Sequence, residues 1–388
     1  MKRSTSFLVA LLVVAASLRS PITAVGPLLQ TIRGHFDLSA TAAGLLSSLP
    51  LIMFGAFAPA SRLARSHGME RVVLAMLLAT IAGTLLRSEG HVSALFTGTF
   101  LLAGGIAVTN ILMPMLVKEY FPDRIPTITT AYASVMGGFA ALGSGLSAPL
   151  ARVLPGDWRA SLASWAVIAL IAVLLWLPHL ATPHTARTAD VDPPRIPWGS
   201  TLAWQVTGFM GFQSTVFYVT VNWYPTMLRE AGVPIETTGW LLTWYQVAAI
   251  VAGLAVPALI RRLRDQRALA AAAGVVSGVG TLGVLLAPQA ALGWMLVLGI
   301  GSGPALILAL SFMGLRAAGP RAAASLSLMA QSVGYLMAAL GPVVFGLVHD
   351  LTGGWTWPML LVVGCTLGMI ACGVGAGRAL REGDSGFR

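Results

Sequence analysis

The chain has 388 residues, 56% of them apolar and only 10% charged, with a formal net charge of +10 and a mean hydropathy of +0.80. Such a composition excludes a soluble domain. Apolar stretches of about eighteen residues or more recur without period-two alternation, so a transmembrane β-barrel is excluded as well and an all-α polytopic membrane protein is expected.

Twelve transmembrane helices are predicted, near 6–32, 40–64, 69–88, 91–117, 125–153, 158–180, 198–229, 236–260, 267–288, 291–315, 321–349 and 355–379. The first resembles a secretory leader as far as Ala15-Ala16-Ser17, but its apolar pattern continues to Leu29, as a retained span would. Inside it lies Arg19, thirteen residues after Ser6 and so about 20 Å along a helix, deep in a hydrocarbon core roughly 30 Å thick. A fixed charge at that depth costs roughly 2.5 kcal/mol or more unless it meets water or a partner. Ala15, Ala16, Ile22, Thr23 and Gly26 share its face and leave room beside the guanidinium, while Pro21 and Pro27 bend the helix. Arg19 reads either as a cavity-lining charge or as a cap on carbonyls freed by Pro21.

Asn110 in the fourth span and Tyr132 in the fifth are candidate cavity residues. The longest polar interruption, 181–197, holds Pro183, Asp190, Asp192, Pro193, Pro194 and Pro197. It predicts an extended cytoplasmic linker between an N-terminal six-helix bundle, 1–180, and a C-terminal one, 198–388. The halves repeat weakly at an offset of about 195 residues: Thr41-Ala42-Ala43-Gly44 answers Glu236-Thr237-Thr238-Gly239, and Gly138-Phe139 answers Gly334-Tyr335. Internal repeats of this kind place a substrate site between two bundles near the midplane.

The seventh span, repeat mate of the first, is unusually polar. Ser214, Tyr218 and Asn222 step by four along one face, with Gln213 and Thr215 adjacent. This face reads equally as a substrate edge opposite Arg19 or as interhelical contacts, with Trp223 and Tyr224 as an aromatic belt. In the eighth span Trp240 fits the belt, and the deeper Trp244 could wall a cavity and stack on a planar group. In the eleventh, Ser327, Gln331 and Tyr335 again step by four.

All fourteen acids map to loops or helix ends, so no carboxylate is expected beside Arg19. A carrier of cations would be expected to embed an Asp or Glu; a lone arginine favours an anion that brings the missing charge. His349 beside Asp350 is the one histidine that suits proton coupling, an ordinary capping role being the other reading. Cys365 and Cys372 lie seven residues and about 10 Å apart on one helix, too far for a disulfide. No metal-ligand spacing, nucleophile with its base or phosphate-cradling loop occurs, so neither an enzyme nor a cofactor is expected. Eighteen basic residues fall in loops and tails on one side and five, including Arg87, on the other. That bias orients both termini to the cytoplasm and accounts for the positive charge without nucleic acid.

Six plus six helices and basic loops after the second and eighth, Arg62 to Arg71 and Arg261 to Arg267, resemble the major facilitator superfamily over the whole chain. The first loop departs from the family signature, with Arg65 or a neighbour where an aspartate is expected; the second keeps Asp265. The fourth and fifth helices also lack the family's proton-antiport signatures. Leu18-Arg19-Ser20-Pro21-Ile22-Thr23, Gly211 to Tyr218 and His349 to Trp355 resemble the cyanate and nitroimidazole transporter family within it.

The expected protein is an inner-membrane secondary transporter, functional as a monomer, moving a small anion such as cyanate or a carboxylate by alternating access; coupling to a proton, exchange for a counter-anion and uniport all stay open. Its expected substrate contacts are Arg19, Thr23, Asn110, Tyr132, Gln213, Tyr218, Asn222, Trp244, Gln331 and Tyr335. Two alternatives stay open: proton-coupled efflux of neutral or cationic drug-like compounds, and a receptor of transporter fold that binds without moving its ligand.

Overall fold

A computed structural model of the chain describes residues 2–57, 67–180 and 196–378. The basic stretch 62–66 and the linker 181–195 lie outside the described residues.

The first span is broken, not merely bent. It forms α1 (Lys2–Ser17), α2 (Ser20–Thr23), a 3-10 turn (Gly26–Leu28) and α3 (Leu29–Phe36). Proline lacks the N–H that would continue the ladder and its ring clashes with the preceding turn, so Pro21 interrupts the helix beside Arg19 and Pro27 does so again. Ser17 and Ser20 donate to the Val14 and Ala16 carbonyls, and Thr23 to that of Arg19, which satisfies polar groups at the break. There follow α4 (Ala40–Ala56), α5 (Met69–Leu86), α6 (Val92–Tyr120), α7 (Ile125–Val153), α8 (Asp157–Ser164) and α9 (Ala166–Trp176), the last two making the sixth span. The second half is α10 (Thr201–Glu230), α11 (Ile235–Arg262), α12 (Arg267–Leu286), α13 (Ala291–Leu315), α14 (Pro320–Thr352) and α15 (Thr356–Ala376).

Ten described segments are long and apolar enough to cross a membrane, and α4 is a shorter apolar helix of 17 residues. The exception is α10, 30 residues long but too polar to qualify by hydropathy. Its polarity is tolerated because protein rather than lipid surrounds it: Gln213, Ser214, Thr215, Thr220, Asn222 and Thr226 are all buried.

The halves meet chiefly along two seams, α4 against α14 and α7 against α11. At the first seam, side chains at Gly44 or Gly346 would collide with the backbone at Pro342 and Ala40, so both glycines are required for the approach. Thr243 and Gln246 on α11 donate to the Ala141 carbonyl (2.9 Å) and the Ser144 hydroxyl (3.0 Å) of α7.

One end of the molecule is latched shut across these seams. Asp350 of α14 accepts from the backbone N–H groups of Ala40 and Thr41 at 2.9 and 2.8 Å and from the Thr41 hydroxyl at 2.6 Å. The carboxylate therefore caps the first turn of α4 alongside Ser39, where the helix dipole favours negative charge. At the same end Arg152 pairs with Glu236 at 2.5 Å and Arg229 reaches Thr31 at 3.4 Å.

Candidate functional site

At the break between α1 and α2, Arg19 is partly buried and points across to the second half. Its Nη1 donates to the Tyr218 hydroxyl of α10 at 2.5 Å. The guanidinium also interacts with the Tyr335 hydroxyl of α14 and lies 5.5 Å over the Phe54 ring of α4, which packs 5.5 Å from the Tyr335 ring. Four elements from both halves thus converge on one positive charge, and every group around it is a neutral hydroxyl or an aromatic face. Among the described residues Arg19 makes no ion pair, the two there being Arg152–Glu236 and Arg267–Asp265. Glu70 is the only buried acid among them, and it accepts from Tyr120 at the opposite end of the chain's first half from Asp350. Such a cluster can bind a small anion through charge-assisted hydrogen bonds to the guanidinium and the tyrosine hydroxyls.

Of the residues expected at the site, the structure brings together Arg19, Tyr218 and Tyr335. Asn222 lies one turn further along α10, its side-chain amide donating to the Tyr218 carbonyl at 2.8 Å. Three others spend their polar groups on nearby partners. Thr23 is buried and donates to the Ala140 carbonyl at 2.8 Å, where it serves packing of α2 on α7. Gln213 donates to the Ser214 hydroxyl and the Met210 sulfur, and Gln331 to the Ser327 hydroxyl, each within its own helix. Asn110 and Tyr132 are half-buried on α6 and α7, and no hydrogen bond joins them to Arg19 among the described residues.

Trp244 is a correction. It is 51% exposed, on a stripe with Trp240, Val247, Val251 and Leu254 that faces away from the protein, so it belongs to the lipid-facing side of α11 and walls no cavity. The belt reading of Trp223 and Tyr224 also fails, since both are fully buried; Trp223 donates to the Pro342 carbonyl and Tyr224 to Thr281. His349 stacks on Trp355 with ring centroids 4.0 Å apart, beside the Asp350 latch and fourteen residues from Tyr335, about 20 Å along α14.

Sequence reasoning missed Phe54 and Arg87. Phe54 gives no signal among so many apolar residues. Arg87, expected in a loop, is 1% exposed, and its Nη1 donates to the Pro21 carbonyl at 2.8 Å.

This architecture, twelve spans in two sets of six, has known counterparts. The chain belongs to the Major Facilitator Superfamily, whose family model matches residues 9–342. It is accordingly a multi-pass membrane protein and a secondary transporter of that type, not an enzyme. More narrowly, it is 41% identical over 372 residues to the 2-nitroimidazole transporter of Escherichia coli (strain K12), covering 95% of this chain and 94% of that protein. It is 29% identical over 368 residues to the cyanate transport protein CynX of the same organism, covering 92% and 94%. The fold matches a crystal structure of a D-xylose–proton symporter with a TM-score of 0.75 at 14% identity, over 94% of this chain and 97% of that one.

Proposed function

We propose that the protein moves a small monovalent organic or inorganic anion across the bacterial inner membrane by alternating access, its bundles 1–180 and 198–388 rocking about a site at Arg19. Arg19 binds the anionic group, Tyr218 and Tyr335 orient it, and Phe54 screens it. The observation that carries this reading is the convergence of both halves on a guanidinium whose neighbours are all uncharged. The distribution of Lys and Arg supports cytoplasmic termini, which puts the Asp350 end outside. In that orientation the structure corresponds to a carrier closed to the outside. The likeness to a cyanate transport protein agrees with an anionic cargo.

A second reading, carriage of a neutral planar compound stacked among Phe54, Tyr218 and Tyr335, draws on the 41% identity to a 2-nitroimidazole transporter. Melting of the detergent-purified protein separates the two. Cyanate, mono- and dicarboxylates, amino acids and 2-nitroimidazole are titrated into the native chain and into Arg19→Gln. A ligand at a hundred times its Kd stabilises by about 2.7 kcal/mol, so millimolar panels detect weak sites. The anion reading expects stabilisation by one anion class that vanishes in Arg19→Gln. Stabilisation by 2-nitroimidazole alone, retained in Arg19→Gln, overturns it in favour of the neutral cargo.

A further inference from the structure

Arg87 is a second interior arginine with no counter-ion among the described residues, and unlike Arg19 it is also short of hydrogen bonds. Its Nη1 is used on the Pro21 carbonyl, but Nε and Nη2 are buried without any partner. Leaving charged donors unpaired in the interior is costly unless something binds them. Arg316 shows the contrast: buried at the end of α13, it donates to the Ala376 carbonyl and to the Gln266 side chain, both at 2.5 Å.

Arg87 borders a cavity of about 10 Å³, room for about one water-sized occupant. The Ser47 hydroxyl on its wall is likewise buried and unpartnered, and Asn222 of α10 forms the facing side. Both halves of the chain thus contribute, as they do at Arg19. Along α4 the first-turn residues Ala40 and Thr41, then Ser47, then Phe54 follow at intervals of six or seven residues, which sets three levels about 10 Å apart. The lowest holds Arg19, the middle Arg87 and the top the Asp350 latch. Asn222 links the lower two, since its amide is bonded to Tyr218, whose hydroxyl takes the Arg19 hydrogen bond.

We propose that Arg87, with Ser47 and Asn222, is a second anion-binding station on the translocation path, one level nearer the Asp350 end than Arg19, taking a small monovalent anion. The proposal rests on the reading of Arg19 as the anion site. In the latched state the cavity fits only a water-sized guest; opening of the Asp350 end separates Asn222 from Ser47 and enlarges it. An anion leaving Arg19 then meets fixed positive charge at the next level instead of bare apolar wall.

The test titrates potassium cyanate and potassium chloride, at ionic strength held constant with gluconate, into the full chain and into Arg19→Gln, Arg87→Gln, Arg87→Lys and Ser47→Ala, following the melting temperature. In Arg87→Gln the half-saturating concentration of the stabilising anion rises about tenfold or more, the loss expected for a hydrogen bond to an ion. Arg87→Lys keeps most of the response because the charge remains, and Ser47→Ala weakens it severalfold with the ligand-free melting temperature unchanged. A response to chloride as strong as to cyanate assigns the station to inorganic halide; a response to cyanate alone assigns it to the substrate. If Arg87→Gln and Ser47→Ala titrate like the native chain while Arg19→Gln does not respond, Arg87 merely clamps Pro21: the station is overturned and the Arg19 site survives. Loss of the response in Arg87→Gln with none in Arg19→Gln overturns the Arg19 site instead. No stabilisation of the native chain by either anion overturns the station; the Arg19 site is then decided by the wider anion panel above. Should Arg87→Gln not purify folded, the Ser47→Ala titration decides alone.

Discussion

The Arg19 level and the Asp350 end handle charge in opposite ways. At the Asp350 end two charges have complements inside the protein: the carboxylate sits on the amide groups opening α4, and Arg152 faces Glu236. At the Arg19 level a cation meets only hydroxyls and rings. On the proposed function, the self-complementary charge is a latch that must be undone to open, and the uncompensated charge is a seat that a ligand can complete. The two regions are joined by α4 and α14, which carry Phe54 and Tyr335 at one level and Thr41 and Asp350 at the other.

That contrast can be broken from either side. The largest effect is expected from Tyr218→Phe, which removes the hydroxyl partner of Arg19 and leaves the ring; anion affinity should fall about tenfold, read by melting titration. Next comes Pro21→Ala. Restoring the N–H lets α1 and α2 join, so transport in reconstituted vesicles should drop severalfold while thermal stability holds or rises. Asp350→Ala removes a helix cap worth about 0.5–2 kcal/mol and should leave the Arg19 seat intact. Its signature is faster thiol labelling of Ser47→Cys, in a chain whose Cys365 and Cys372 are serine, with anion affinity little changed. Asp350→Asn, whose single carbonyl oxygen can replace only one of the two accepting oxygens, should label at an intermediate rate. The smallest effect belongs to Arg152→Ala, since an ion pair this exposed contributes about 0.2–1 kcal/mol, and high salt should mask the difference.

The helical class and the number of spans were legible because a bilayer leaves few options for an apolar chain of this length, and Arg19, Tyr218 and Tyr335 because an embedded charge and polar residues stepping by four are rare in such segments. Trp244 and Tyr218 illustrate the limit. Both sit on helical stripes, yet periodicity defines a face without saying whether lipid or protein lies beyond it, and only packing put one outward and the other inward. Gln213 and Thr23 stand apart from the Arg19 cluster for a different reason: short polar side chains readily bond within their own helix or to a neighbour's carbonyl. Arg87 eluded the sequence because it follows the end of an apolar run, where arginine ordinarily marks the interface. Its burial depends on where the broken first span places the Pro21 carbonyl. The repeat, too, hid a difference. The first span breaks at two prolines, while its mate α10 runs unbroken for 30 residues through Pro225.

In the proposed cycle, a guanidinium with no counter-ion among the described residues also makes the carrier an electrical device. Arg19 need not travel for voltage to act on it; as the barrier swings from one side of it to the other, the same charge passes from the potential of one compartment to that of the other. For a full elementary charge this is worth about 2.3 kcal/mol per 100 mV. With the proposed orientation, an interior-negative cell draws the empty carrier toward the state latched at Asp350. A bound monovalent anion cancels the charge of Arg19, so the loaded carrier loses that share of the bias and keeps only the share of Arg87. The membrane potential would then govern the return of the empty protein and set the direction of net flux without acting on the cargo itself.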